Sequence, residues 1–378
     1  MSNVPEPSAL AVPPSARDEL TRSSRQLGLT EYWAEREIIE DPAHRRIAVP
    51  FVWHWKDMRP LLARASTIVP MKEAYRRALL FSNPGLAPKA WMTTTIYGGC
   101  SWYNPGESAE VHRHPPSASR FVLAGDGGWT AVEGEKCMMS RGDLILTPSG
   151  TWHDHGNDGR EPVIWVDILD LPLVENLHNS WVMDYDYRED AGGRSEKRTV
   201  QSITQPAGHS LHLYSMGGVK PAFLSHQRGQ STGSPMFIYR WRDTLTALNR
   251  LRDYAPDPCD GISVEFVDPT TGGPVVPTLS FSVHLLKPGF MPDFQRKTAS
   301  TVYCVIQGRG RTELDGGRPM QWEENDVFVV PSGSWYRHVN EDAAHDVLLY
   351  SVSDEPTLRQ LRLLKRERRG GDGRVTAR

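Results

Sequence analysis

Paired cysteines, long apolar runs and an excess of one charge are all missing from this chain of 378 residues. The four cysteines, Cys100, Cys137, Cys259 and Cys304, stand far apart and none forms a CxxC pair. That excludes a thiolate zinc site and makes a reducing, cytoplasmic setting the expectation. No apolar stretch approaches the roughly 20 residues that span a bilayer, so no membrane partner is expected. Lys and Arg number 43 against 46 Asp and Glu, a balance that offers nothing to nucleic acid. The opening is rich in Pro, Ser and Ala and lacks the basic start and apolar core of a signal peptide. Residues 1–29 are expected to be a flexible tail.

Turn formers and strand formers are abundant. The chain carries 29 Pro, 32 Gly and 12 Trp, a composition that suits many short strands joined by tight turns. Helical patterning is confined to Thr30–Ile47, to a short helix running into a strand between Lys72 and Leu80, and to Trp241–Tyr254, where Leu245, Leu248 and Leu251 recur. Phe51-Val52-Trp53-His54-Trp55 reads as a packing segment over a barrel. The β-branched run Thr93-Thr94-Thr95-Ile96-Tyr97 opens a series of strands. Arg120–Ala124, Trp129–Val132, Leu144–Thr147 and Val163–Ile168 continue it, with turns at regular spacing.

The series occurs twice. Adding 183 to each number carries Pro105-Gly106 onto Pro288-Gly289, Gly125 onto Gly308, Asp143 onto Asp326, Pro148-Ser149 onto Pro331-Ser332, Trp152 onto Trp335 and His155 onto His338, without a gap. The copies differ in chemistry. His112 and His114 stand two apart, which on a strand places them on one face, and His153 follows from a later strand. Three neutral imidazoles in that pattern make a metal site. The second copy has Gln295, Lys297 and Tyr336 at these positions and no imidazole among them.

Gly106-x5-His112-x-His114-x3-Ala118-x6-Gly125 and Gly142-x5-Pro148-x-Gly150-x2-His153-x3-Asn157 match the two cupin motifs. With the string Thr147–Asn157, with Trp165–Leu173 and Thr301–Val305, and with a metal-free second copy, the chain resembles the gentisate/salicylate 1,2-dioxygenases. The resemblance implies an all-β-dominated bicupin of two jelly-roll barrels with N-terminal and connecting helices. The segments then read as a tail (1–29), a helical and aromatic segment (30–90), a metal-binding cupin (91–172), a connector with a helix (173–276), a metal-free cupin (277–365) and a C-terminal tail (366–378).

The resemblance further implies Fe(II) on His112, His114 and His153, with a small aromatic hydroxy acid and O₂ as reactants and a homotetramer as the assembly. Many cupins place a Glu ligand where Ala118 stands, so a chelating acid and O₂ gain room on the metal. Arg120, His155 and Asp167 map onto the family's catalytic positions. Arg76, Tyr97, Arg120 and His155 map onto its substrate-binding positions, with Asp167 expected to orient His155 or the substrate. Relatives often carry Trp at Tyr97 and some carry Arg at Lys72. A changed ring pocket keeps 5-nitro-, 5-amino- and 5-halosalicylate and 1-hydroxy-2-naphthoate open beside gentisate. A different metal-dependent cupin enzyme (an isomerase or decarboxylase) and a non-catalytic bicupin that binds a small ligand are the readings of other classes.

Overall fold

Each copy of the repeat folds into two antiparallel sheets that face one another, because its strands alternate or fully bury their apolar side chains. The computed structural model describes residues 14–33, 47–184, 187–189, 195–197, 201–226 and 233–378. In the first barrel one sheet runs Ile238–Tyr239, Leu144–Thr147, Ala118–Ala124, Val163–Leu169, Tyr97–Tyr103, Ala78–Leu80. Its partner runs Met183–Asp184, Ser108–Arg113, His153–Asn157, Gly128–Val132, Glu135–Met138. The second barrel repeats the scheme. One sheet runs from Phe51–Trp53 through Val327–Val330, Thr301–Gln307, Val347–Ser353 and Ser280–Leu286 to Ile262–Glu265. The other holds Met320–Glu323, Arg309–Leu314, Trp335–Asn340 and Phe294–Lys297.

The sheet that holds Ala118–Ala124 and the sheet that holds Val347–Ser353 share one core. Phe121 of the first stacks on Tyr350 of the second at 4.1 Å between centroids. Val166, Ile168, Val302 and Val352 pack into the same apolar cluster. The buried turn aspartates tie linking segments to the barrels. Asp143 accepts from Trp241 N at 2.8 Å and Arg240 Nη1 at 2.7 Å, at the head of the helix Trp241–Leu251. Asp326 accepts from Trp55 N at 2.7 Å, at the head of the helix Trp55–Ile68. Each carboxylate therefore sits at a helix N-terminus and satisfies an otherwise orphaned N–H.

Three expectations change, and one lies largely outside the described residues. Pro14–Gln26 is an α-helix inside the stretch expected to be a flexible tail. Proline at its first position costs no hydrogen bond. Gly28, at φ +71, ends it with Leu29 N donating to Ser24 O at 2.9 Å. The helix expected over Thr30–Ile47 lies largely in 34–46, outside the described residues. The threonines expected to open a strand form a turn. Thr93 Oγ1 accepts from Ile96 N at 2.9 Å and Thr95 N at 3.2 Å, and the strand begins at Tyr97. Gly98 lies inside that strand because a Cβ there would meet Asp167 O at 2.7 Å.

The C-terminal tail is the third. Arg366–Arg369 and Val375–Ala377 are strands that bring the second sheet of this barrel to six, Arg366–Arg369 pairing with Phe294–Lys297. The charges of Arg366–Arg369 each meet an acid or a base. Arg369 pairs with Asp315 at 2.8 Å, Arg368 with Asp293 at 3.4 Å, Glu367 with Arg296 at 2.6 Å, and Arg366 with Glu355.

Candidate metal centre

The strands Ser108–Arg113 and His153–Asn157 are neighbours in the smaller sheet of the first barrel, and His112 lies directly opposite His153. A register shift between Ala109 and His112 bends the first of these strands next to the site. His114 follows just beyond its end. The ligand atoms of His112, His114 and His153 lie within 4.8 Å of one another, and all three residues are buried.

Local backbone sets the tautomers. His112 Nδ1 faces Glu110 O at 3.1 Å, His114 Nδ1 faces Pro116 O at 2.7 Å, and His153 Nδ1 faces Thr151 O at 2.8 Å. A carbonyl only accepts, so each Nδ1 carries the proton and each Nε2 presents its lone pair. His112 Nε2 and His153 Nε2 are buried with no hydrogen-bond partner. Burial holds all three imidazoles in the neutral form, and the cation of Arg76 adds to this at His112 and His114, with His114 pushed down to about 4. Neutral, converging Nε2 atoms whose other nitrogen is fixed are the donor set a first-row dication takes. Ala118, paired with Thr147 and Leu169, contributes a methyl group and no ligand atom.

A cavity of about 320 Å³ opens beside the triad. Arg76, Tyr97, Arg120, His155 and Asp167 all line it, together with His112 and His114. Arg120 Nη1 donates to Thr147 Oγ1 at 2.9 Å, and its Nε stands 3.2 Å from Asp167 Oδ1. Asp167 also accepts from Ser101 Oγ at 2.6 Å and from Trp165 Nε1 at 3.0 Å. Asp167 thus orients Arg120; the expected bond to His155 is made by a different residue. His155 Nδ1 shares a hydrogen bond of 2.9 Å with Thr130 Oγ1, and its Nε2 is buried without a partner. Burial raises the Asp167 carboxyl, and the Arg120 cation opposes that shift.

Arg76 is the charge left over. It follows Tyr75, whose φ of +56 turns the chain after the helix Met71–Ala74. Its guanidinium lies 5.1 Å from the Tyr75 ring, and its buried Nε and Nη2 have no hydrogen-bond partner among the described residues. Burial lowers its pKa, and nearby phenols and Asp167 pull the other way. The neighbouring Arg77 turns inward and anchors the segment, donating to Glu107 Oε1 at 2.9 Å and Trp102 O at 3.0 Å. Lys72 is exposed on its short helix and does not line the cavity, which corrects its assignment to the ring pocket.

Sequence reading missed Thr130, Trp165 and Tyr103. Period-2 spacing from Tyr97 could have found Tyr103, since Gly99, Ser101 and Tyr103 share its face of the strand and line the cavity. Ala78, Leu80 and Leu169 supply apolar wall, and Tyr103 stacks on Trp165 at 4.6 Å.

Paired jelly rolls, one with a closed set of imidazoles beside an amphipathic cavity, define a metal-binding bicupin, and the cupin domain family matches residues 102–169. Among relatives, gentisate 1,2 dioxygenase 1 of Aquipseudomonas alcaligenes is 38% identical over 82% of this chain and 85% of its own. The 5-aminosalicylate 1,2-dioxygenase of Comamonas sp is 35% identical over 84% and 81%. The gentisate adduct of salicylate 1,2-dioxygenase from Pseudoaminobacter salicylatoxidans superposes with a TM-score of 0.84 at 30% identity, covering 97% of this chain and 96% of that one. The chain belongs to the gentisate/salicylate 1,2-dioxygenase family and is an oxidoreductase of the dioxygenase class.

Proposed function

We propose that the protein is an Fe(II)-dependent dioxygenase that cleaves the ring of gentisate or of a 5-substituted salicylate between the carboxyl-bearing and hydroxyl-bearing carbons. The observation that carries this reading is a cluster of three converging imidazoles with no carboxylate in the set among the described residues, beside a cavity lined by Arg76, whose buried Nε and Nη2 have no hydrogen-bond partner among them. The residues fit the metal: His112, His114 and His153 would hold it through Nε2. When bound, it supplies a Lewis acid and a template for the hydroxy acid and O₂ together.

The chain's own groups do the rest. Arg76 binds the substrate carboxylate through its unpartnered nitrogens, a charge-assisted contact that orients the ring. Ala78, Leu80, Leu169 and Trp165 take the ring face and exclude water. Arg120, fixed by Asp167 and Thr147, stabilises negative charge as it develops on oxygen. His155 Nε2 holds or moves a proton at the substrate's phenolic oxygen. One ring C–C bond breaks and each of its carbons gains one oxygen atom. The four electrons lost by the ring reduce O₂, so no external reductant enters. Tyr97 lines the same cavity and is the residue placed to sense the ring substituent.

Oxygen uptake by the iron-loaded protein tests the reading, with gentisate, salicylate, 5-amino-, 5-nitro- and 5-chlorosalicylate and 1-hydroxy-2-naphthoate as substrates. Uptake with at least one, stoichiometric with ring opening, is expected. No uptake with any of them at one iron per chain would overturn it. The four buried free thiols accord with action in the cytoplasm, and a homotetramer, the assembly the family resemblance implies, is checked by light scattering.

A further inference from the structure

The second barrel has no counterpart of the histidine triad, yet it keeps a cavity. A chamber of about 380 Å³ lies inside it, against about 320 Å³ beside the triad. Its wall has changed character. Ala78 and Leu80 of the first barrel pair with Ser101 and Gly99, and the matching edge pairs of the second are Ser263 with His284 and Glu265 with Ser282. Polar groups have replaced apolar wall at the same places in the scaffold.

Gln295 stands where the first barrel has His112, and it is fully buried. Its Nε2 donates to Asp260 Oδ1 at 2.6 Å, and its Oε1 accepts from Arg378 Nη1 at 2.7 Å. The same guanidinium donates through Nη2 to Asp257 Oδ1 at 2.8 Å and Asp260 Oδ2 at 3.0 Å. Lys297, in the place of His114, pairs with Glu355 Oε1 at 3.2 Å. The strand Val375–Ala377 delivers Arg378, and Arg378 N donates to Arg366 O at 2.9 Å.

We propose that Asp257, Asp260 and Gln295 form a guanidinium-binding site in the second barrel, and that its ligand is the chain's own Arg378. The site carries two carboxylates and one amide oxygen around a planar fork of donors, which is guanidinium geometry; an ammonium offers no such fork. Removing the cation leaves Asp260 and Asp257 facing one another with the Lys297 charge and the Gln295 amide as the remaining compensation for Asp260, an arrangement that is destabilising. The first barrel gathers neutral donors for a metal taken from solution. The second gathers anionic ones for a cation it already carries. A free guanidinium compound enters only when Arg378 is withdrawn.

Thermal unfolding and calorimetry of the full chain test this with methylguanidinium as the probe. Arg378→Ala is expected to lower Tm by about 5 °C. Low-millimolar methylguanidinium should restore it in a saturable way, while leaving the wild type and the Asp260→Asn, Arg378→Ala double variant unmoved. If Arg378→Ala does not fold, Arg378→Lys, which keeps the charge without the fork, carries the same titration. Absence of methylguanidinium binding to the single variant, or equal recovery in the double variant, would overturn the proposal.

Discussion

His155 and His338 hold the same place in two copies of one scaffold, and their surroundings separate what the barrel requires from what the chemistry requires. Each Nδ1 shares a 2.9 Å hydrogen bond with a threonine, Thr130 in the first barrel and Thr312 in the second. Asn157 and Asn340 each close a turn, their Nδ2 donating to Tyr103 O at 3.0 Å and to Leu286 O at 2.9 Å. These pairs belong to the fold. The difference lies beyond them. His155 lines a cavity with Arg120 and Asp167, while His338 is packed against Tyr303 at 4.5 Å and Tyr336 at 5.1 Å. A side chain shared by both barrels is therefore structural first, and its reactive role depends on what faces its second nitrogen.

The largest expected break in the comparison is at the triad. His112→Ala should abolish metal binding and reduce oxygen uptake by about 10³-fold or more, the loss of several kcal/mol of charge stabilisation. Lys297→Ala, at the place of His114 in the second barrel, should keep the metal content of the wild type, and metal loss there would contradict the assignment of metal binding to the first barrel. The next effect is at Arg120, whose counterpart by the same offset is Tyr303. Arg120→Gln is expected to lower kcat by about 10²-fold with iron content unchanged. Tyr303→Phe, which removes only the hydroxyl bonded to Tyr336, should leave kcat as it was; equal losses in the two would end the distinction.

Substrate binding comes third. Arg76→Gln should raise KM by about 30-fold, the worth of a charged hydrogen bond, with a smaller change in kcat. Fall of kcat alone would assign Arg76 to the chemical step. The smallest effect probes the seam between the barrels, where Asp170 accepts from Ser117 N at 2.8 Å and from Thr278 Oγ1, and Asp354 accepts from Ser300 N at 2.8 Å and Thr95 Oγ1 at 2.5 Å. Burial pushes both carboxyls up to about 6, against these hydrogen bonds. An unfolded aspartate titrates near 3.9. The folded chain thus holds more protons than the unfolded chain between about pH 4 and pH 6, so this contribution to stability falls as pH rises through that window and is constant above it. Asp170→Asn should flatten the fall of Tm between pH 4 and 6 by a few degrees; an unchanged slope would show that Asp170 does not titrate there.

Much of the site was legible because it obeys short-range rules. HxH at strand spacing, a gap-free repeat and turn-forming Gly, Asp and Asn positions are readable in one dimension. The threonine run at 93–95 misled because β-branched residues favour strands, yet a threonine hydroxyl also closes a turn when two N–H groups come within reach. The basic C-terminal segment misled because its acids, Asp293, Asp315 and Glu355, lie 11 to 75 residues away in sequence.

The sequence by itself determined that this protein is two copies of one barrel and that the histidine triad stands in the first, with Gln295, Lys297 and Tyr336 at the matching places of the second, since identity and spacing of residues are what a repeat and a motif consist of. Tertiary structure decided which partner each charge has. Asp167 meets Arg120 because they face each other across adjacent strands. Arg378 reaches Asp257 from 121 residues away because two late strands extend a sheet. Such pairings depend on cross-strand register and sheet order, and burial makes them matter, because a charge removed from water must find a partner wherever the fold has placed one.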